Sequence, residues 1–445
     1  MTTTMSRSGS RPAALARTAT VSGVHALAGR DQSVIRAERR QRPKRIGLFG
    51  LFGSGNSGND GSLEAMVVFL RQVHPDAELV CFCACSVSAV NEIARDLELP
   101  TTPLAIPRPA GGLLRILDTL SLKTPRQLAS LVRAFAQARR LDVLIIPGTG
   151  ILDDFQEGPS GMPLALFGWC LAARLWGTRI AFVSIGAGPI QHPISRWLMK
   201  SAVAMARYRS YRDTVSKAFM ESIGLDTRND AVYPDIAFKL SAPSSTRRQD
   251  AKDGPLTVGV GVMAYHGWRN DGASGAAIYE AYLEKITNFV LWLLDRGHPV
   301  RILMGATGDR RAVADVVTRV GAARPNLPQD RLVADPVGSL HDLMRQIGQT
   351  DVIVATRFHN VVCALKLGKP IVSLGYADKN NVLMAEMGVG RFCQHIERLD
   401  LDLLIEQFTE LVADRKSYEQ RIRSANLAYQ ERLEHQDSLL ASRLL

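Results

Sequence analysis

The amino-acid sequence predicts an α/β protein of two Rossmann-like, doubly wound lobes with a central cleft, behind a disordered basic N-terminal tail. Three observations carry this. From Arg45 onward, short apolar runs alternate with longer amphipathic stretches, as strands and crossover helices do in a parallel sheet. The alternation stops in a polar stretch bounded by Pro243 and Pro255 and then starts again. Finally, 445 residues are more than one core of about 250–300 residues organises. The expected plan is a tail at 1–44, a first lobe at 45–240, a linker at 241–255, a second lobe at 256–398 and a helical segment at 399–445.

Strands are expected in the first lobe at 46–51, 79–82, 143–146, 180–184 and 208–211. In the second they are expected at 258–262, 300–304, 332–334, 352–355 and 371–374, with amphipathic helices between them, such as 276–294. The two series echo each other. Asp142-Val143-Leu144-Ile145 leads to Gly177-Thr178-Arg179-Ile180 and Ser184-Ile185-Gly186, and Asp351-Val352-Ile353-Val354 leads to Gly368-Lys369-Pro370-Ile371 and Ser373-Leu374-Gly375. Shared strand-to-loop grammar can produce such an echo without a true repeat. The charged segment from Leu401 is expected to lay one apolar stripe across both lobes.

Hydrophobic content of 46% and charged content of 22% allow most of the chain to bury a core. The net charge of +11 would suggest a polyanionic partner, but ten Lys or Arg against Asp31 and Glu38 place +8 of it in residues 1–45. No aromatics interleave with those charges to stack on bases, so a solvated arm is expected rather than a nucleic-acid reader. Peripheral contact with an anionic membrane remains open to it. The tail is also Ser-, Thr- and Arg-rich and acid-poor, like an organellar transit peptide, and lacks the apolar run of a secretory signal. A plain extension of a cytoplasmic protein, one that can sit at the inner face of the membrane, is the preferred reading. The apolar stretch 164–190 is broken by Arg174 and Arg179 and reads as a helix followed by a buried strand. Six scattered cysteines (Cys81, Cys83, Cys85, Cys170, Cys363, Cys393) form neither a disulfide framework nor a ligand set, so a reducing compartment, packing roles and no metal are expected.

The candidate chemistry sits where strands end. The first strand runs into Gly53-Ser54-Gly55-Asn56-Ser57-Gly58-Asn59-Asp60-Gly61, a loop that can bring backbone N–H groups and a helix N-terminus to an anion. Gly53, Gly55 and Gly58 fit a dinucleotide fingerprint. The second strand, however, ends in Cys83-Ala84-Cys85-Ser86 with no acid for a ribose, which disfavours that ligand. Gly148-Thr149-Gly150 and Gly186-Ala187-Gly188 follow two further strands and extend the backbone-lined wall. Thr356-Arg357-Phe358-His359-Asn360 directly follows the 352–355 strand. There Arg357 can grip a carboxylate or phosphate and His359 can move a proton near neutral pH. With Arg212 of Arg212-Asp213 and Lys379, three cations from two lobes could meet one anion.

This ordered set resembles the polysaccharide pyruvyl transferase family. The resemblance is carried by Gly55-Asn56-Ser57-Gly58-Asn59-Asp60, Gly148-Thr149-Gly150, Ser184-Ile185-Gly186, Tyr211-Arg212-Asp213, Tyr233-Pro234-Asp235, Arg357-Phe358-His359, Gly368-Lys369-Pro370 and Tyr376-Ala377-Asp378-Lys379, spanning roughly 46–395. It implies a GT-B-like fold and transfer of pyruvate from phosphoenolpyruvate onto two hydroxyls of a sugar, oligosaccharide or lipid-linked glycan, with no cofactor beyond that donor. It makes His359 the acid, Arg357 and Arg212 the anion-binding groups with Lys379 assisting, and Asp60 or Asp213 the base. Asn56, Gly58, Asn59, Gly148, Gly150 and Gly186 then complete the substrate wall. Family members usually carry Asp-Glu where this chain has Asn59-Asp60, so the first loop departs from the pattern. Two other readings stand beside this one: a GT-B glycosyltransferase with a nucleotide-sugar donor, and a non-catalytic glycan-binding relative.

Overall fold

The computed structural model describes residues 43–83, 97–103, 124–155, 157–243, 255–268 and 272–445. The tail through residue 42, linker residues 244–254, and Cys85 lie outside these. Residues Arg45–Leu445 cluster as one compact unit.

Seven parallel strands form the first sheet: β1 (Arg45–Gly50), β2 (Glu78–Cys83), β3 (Thr101–Pro103), β4 (Val143–Pro147), β5 (Arg179–Ile185), β6 (Tyr208–Tyr211) and β7 (Ala231–Val232), in the order β3-β2-β1-β4-β5-β6-β7. Six parallel strands form the second: β8 (Val258–Val262), β9 (Val300–Met304), β10 (Leu332–Val333), β11 (Val352–Ala355), β12 (Ile371–Gly375) and β13 (Cys393–His395), in the order β10-β9-β8-β11-β12-β13. The central strands are almost wholly buried. Burial on both faces is why they read as unbroken apolar runs rather than alternating ones. In each sheet the strand order reverses beside its first strand, between β1 and β4 and between β8 and β11. Ligands of open α/β sheets bind at the carboxyl ends of strands flanking such a reversal.

The internal echo has a structural counterpart. Asp142, just before β4, accepts a hydrogen bond from the N–H of Arg45 at 2.9 Å, and Asp351, just before β11, accepts one from Thr257 at 2.8 Å. Each aspartate clips the start of its sheet's first strand.

Helices cover both faces. In the first lobe they are α1 (Ser57–Val73), α2 (Thr124–Ala138), α3 (Met162–Leu175), α4 (Pro193–Ala204) and α5 (Thr214–Ser222). The stretch 164–190 thus resolves into a helix and a buried strand, and no helix among the described residues is long and apolar enough to cross a membrane. The second lobe carries α6 (Gly272–Asp295), α7 (Arg310–Ala323), α8 (Leu340–Gly348), α9 (Phe358–Lys366) and α10 (Asp378–Glu386), followed by α11 (Leu401–Ala413) and α12 (Arg415–Arg443).

The last helix ties the lobes together. Three turns into it, Asn426 donates to the carbonyl of Leu365 at 2.7 Å. Nearly three turns on, Gln436 donates to Ser210 Oγ at 2.8 Å and accepts from Ser184 Oγ at 3.1 Å, and Asp437 pairs with Lys239 at 2.6 Å. Ser184 adopts φ of 48°, at a register shift in the β5–β6 pairing. A left-handed backbone at a non-glycine residue costs on the order of 1 kcal/mol. Its N–H, bonded to Ser210 Oγ at 2.8 Å, and its hydroxyl, bonded to Gln436, hold it there.

Candidate active site

The carboxyl ends of both sheets face one another across a cavity of about 400 Å³. The loop after β1 contributes Ser54, Asn56 and Asn59, and the loop after β4 contributes Gly150, Ile151, Asp153 and Phe155. Arg212 enters from the end of β6. From the second lobe come Gly305 after β9, Arg357, Phe358 and His359 after β11, and Tyr376 and Lys379 after β12. The lobes touch beside it: the N–H of Thr307 donates to the carbonyl of Gly55 at 2.8 Å, and His341 bonds Glu64 at 2.7 Å.

Arg212 is no surface ion pair. It is buried, its Nη1 lies 3.2 Å from Asp235 and its Nε lies 3.6 Å from Asp213, and its guanidinium stacks on the Phe358 ring with 4.3 Å to the centroid. Gly186 lies against this guanidinium so closely that a side chain there would overlap it. Asp235, at the head of a short 3-10 turn (Ile236–Lys239), also lies 3.7 Å from His359 Nε2. A first-lobe carboxylate therefore joins Arg212 to the second lobe's histidine.

His359 is 8% exposed, and burial pushes its imidazole down to about 4 despite Asp235; Arg212, Lys379 and Arg357 push the same way as burial. The ring is neutral near pH 7 in the ligand-free protein, and a bound anion is needed to raise it. Gly58 lies directly beneath: a Cβ there would overlap the imidazole, so only glycine lets α1 approach this closely.

Arg357 keeps its planar fork on Asp309, with Nε to Oδ2 at 2.9 Å and Nη2 to Oδ1 at 2.6 Å. The bidentate grip expected for a ligand is thus occupied by a fully buried carboxylate, which leaves Nη1 for the cleft. Asp309 is anchored in turn by the N–H groups of Ala264 and Ala306, each at 3.1 Å. Lys379 differs: the hydrogen-bond partner of its ammonium is Tyr376 Oη at 3.5 Å, and it carries no ion pair among the described residues. The N-cap residues of α9 and α10, Arg357 and Ala377, have no side-chain acceptor, so both helices begin without a side-chain cap. Both open N-termini border the cavity, where their free N–H groups favour an anion.

The sequence candidates divide. Arg212, Arg357, His359, Lys379, Asn56, Asn59 and Gly150 line the cavity. Asp60 does not; its Oδ1 accepts the N–H of Gly53 at 2.8 Å within the loop, although burial raises it to about 6. Asp213 caps α5 through the N–H of Ser216 at 2.6 Å and borders a smaller recess behind Arg212. Gly148 accepts from Ser62 Oγ at 3.0 Å, and Gly148, Gly58 and Gly186 support the wall from behind. Asn56 caps α1, its side chain accepting the N–H of Gly58 at 3.1 Å.

Asp153 escaped the sequence reading, and the only signal for it was an acid three residues past Gly150 at a strand's carboxyl end. It lines the cavity, its Oδ1 accepts the N–H of Phe155 at 3.2 Å, and burial pushes it up to about 6 against the pull of Lys379 and Arg212. Phe155, Trp268 and Tyr376 also form an aromatic cluster at the cleft, with centroids 5.1 to 6.5 Å apart.

The sequence profile of the family described as polysaccharide pyruvyl transferase matches residues 56–378. No curated protein matches the chain. Among solved structures, the S. aureus MnaA-UDP co-structure shares 14% identity at a TM-score of 0.55, covering 86% of this chain and 92% of that one. The UDP-GlcNAc 2-epimerase of Neisseria meningitidis bound to UDP-GlcNAc shares 13% at 0.54, covering 88% and 100%. That of Methanocaldococcus jannaschii in complex with UDP-GlcNAc and UDP shares 10% at 0.53, covering 87% and 99%. At such identities the likeness is one of fold, the two-lobed GT-B-like arrangement.

Proposed function

This chain belongs to the polysaccharide pyruvyl transferase family, and on that premise we propose that it moves pyruvate from phosphoenolpyruvate onto two hydroxyls of a sugar, in a cell-envelope glycan or its lipid-linked precursor. The products are a cyclic ketal and phosphate. The observation that carries this reading is the convergence of Arg212, Arg357 and Lys379, with His359 and two uncapped helix N-termini, on one cavity sized for a small anion beside a sugar. Cations held in place by the fold suit a donor bearing both a carboxylate and a phosphate.

The donor supplies the negative charge that His359 lacks, so its arrival raises the imidazole's affinity for a proton. The imidazolium then protonates the enol methylene, leaving an oxocarbenium ion at C2. The first sugar hydroxyl forms its bond to C2 as Asp153 takes its proton. The C2–O bond to phosphate breaks and phosphate leaves with that proton. The second hydroxyl closes the ring and leaves its proton on Asp153. One proton has passed from His359 to Asp153, and solvent restores it. Asp153 takes the base's role because Asp60 is turned into its own loop by Gly53. Asn56, Asn59 and the Phe155–Tyr376 pair offer hydrogen bonds and an apolar face to the sugar.

The test is to incubate the purified chain with phosphoenolpyruvate and sugar diols and follow phosphate. Release that requires both substrates is expected. Turnover of a nucleotide sugar instead, or glycan binding without any turnover, would refute the proposal.

A further inference from the structure

Nine large apolar residues stand exposed among the described residues, and six of them lie on three adjacent helices of the first lobe: Leu128 and Val132 on α2, Leu175 and Trp176 at the end of α3, and Ile194 and Trp197 on α4. The pattern on α2 is inverted. Ala134 and Ala138 point into the core while the larger Leu128 and Val132 face outward at 64% and 63% exposure. Folding alone would favour the opposite arrangement, with the larger side chains buried. The helices lie side by side: Leu131 of α2 rests against Gly168 of α3, and Phe167 of α3 meets Trp197 of α4 with ring centroids 5.3 Å apart.

Charge on this face has one sign. Residues 124–141, 162–178 and 193–207 contain no Asp or Glu, and the described cations among them are Arg133, Arg139, Arg140, Arg174, Arg196, Lys200 and Arg207. By contrast α1, α5, α6, α7, α8, α10, α11 and α12 all carry acids. Among the described residues, these adjacent helices carry exposed apolar side chains accompanied by cations and no acids, which matches one kind of partner, an anionic lipid surface: side chains such as Trp197 and Leu128 enter the acyl boundary and the guanidinium groups meet lipid phosphates. A second copy of this chain is disfavoured by the same charges, since a two-fold contact would set these cations against their own copies.

We propose that the α2–α3–α4 face of the first lobe docks the protein on an anionic bilayer. Because α3 begins at the cleft, where Met162 lines the cavity, docking by this face brings the site close to the bilayer surface. The inference stands independently of the pyruvyl-transfer reading.

The full chain would be sedimented with phosphatidylcholine vesicles with and without phosphatidylglycerol, beside the triple variant Leu128→Ser/Val132→Ser/Trp197→Ser and the double variant Arg174→Gln/Arg196→Gln. All three proteins keep the basic tail, and all the altered side chains are solvent-exposed. The wild type is expected to co-sediment with the anionic vesicles and to be released by salt. The triple variant should bind about tenfold more weakly, and the double variant should bind more weakly at low salt with a reduced salt dependence. The proposal is overturned if the wild type ignores the anionic vesicles, if the variants bind as it does, or if the triple variant instead converts a dimer to a monomer without altering lipid binding.

Discussion

Replacing Asp153 by Asn is the sharpest probe of the site, because activity and stability should move in opposite directions. The amide keeps the shape and can still accept the Phe155 N–H, but it cannot ionise. The carboxyl is raised from 3.8 to about 6, with burial the leading cause. A shift of that size corresponds to about 3 kcal/mol at 1.36 kcal/mol per unit, and partial exposure reduces this to about 1–2 kcal/mol. The folded pKa lies above the unfolded one, so native Asp153 holds its proton more tightly. Its contribution to stability is greatest at low pH and falls as pH rises from 3.8 through about 6. The Asn variant should therefore be more stable than wild type by about 1–2 kcal/mol near pH 8 and equal to it near pH 4, as read by urea unfolding. Phosphate release should drop by about 10²- to 10⁴-fold, the usual contribution of a positioned base. The donor phosphate also titrates near pH 6, so the informative quantity is the ratio of the wild-type rate to the variant rate. That ratio should shrink as pH falls below about 6, where wild-type Asp153 becomes protonated. A variant that keeps the wild-type rate at neutral pH, or a ratio constant from pH 5 to 8, would refute the assignment.

Two other substitutions test the supporting geometry. His359 has the opposite sign to Asp153: its folded pKa of about 4 lies below the ordinary 6.5, so stability is lost as pH falls from 6.5 towards 4, by up to about 3 kcal/mol. His359→Gln should remove that acid-side loss and abolish turnover, and thermal melts at pH 5 and 7 would show it; an unchanged difference between the two melts counts against the buried neutral ring. Gly58→Ala should drive a methyl into the same imidazole, costing about 1–3 kcal/mol and lowering phosphate release more than the loss of folded protein explains. Wild-type stability and rate in that variant would mean that α1 does not press on His359.

Much of this architecture could be read from residue order because local rules produce it. Buried parallel strands must be continuous apolar runs, and a crossover helix must return to the same edge, so every loop that follows a strand gathers on one side. That is enough to place Arg212, Arg357, His359 and Lys379 around a common cleft without coordinates. The strands β3, β7 and β13 were not legible: two or three residues such as Thr101–Pro103 carry too little apolar pattern, and only pairing with an existing sheet edge makes them strands.

Partnership is what only the tertiary structure decided. Asp60, in the first turn of α1, and Asp153, in the loop after β4, are both acids that follow a strand, yet one is turned inward by the N–H of Gly53 and the other lines the cavity. Arg357 looks like a free anion grip until Asp309, 48 positions away in sequence, is found filling its fork. Asp235 links Arg212 to His359 although the three are spread over 148 positions. Periodicity reports which way a side chain points relative to its own element, so the chain alone determined the lobes and the common edge. A proton affinity, or a choice of ion partner, depends on solvent exclusion and on charges brought from elsewhere in the chain, and these exist only once the two sheets face each other.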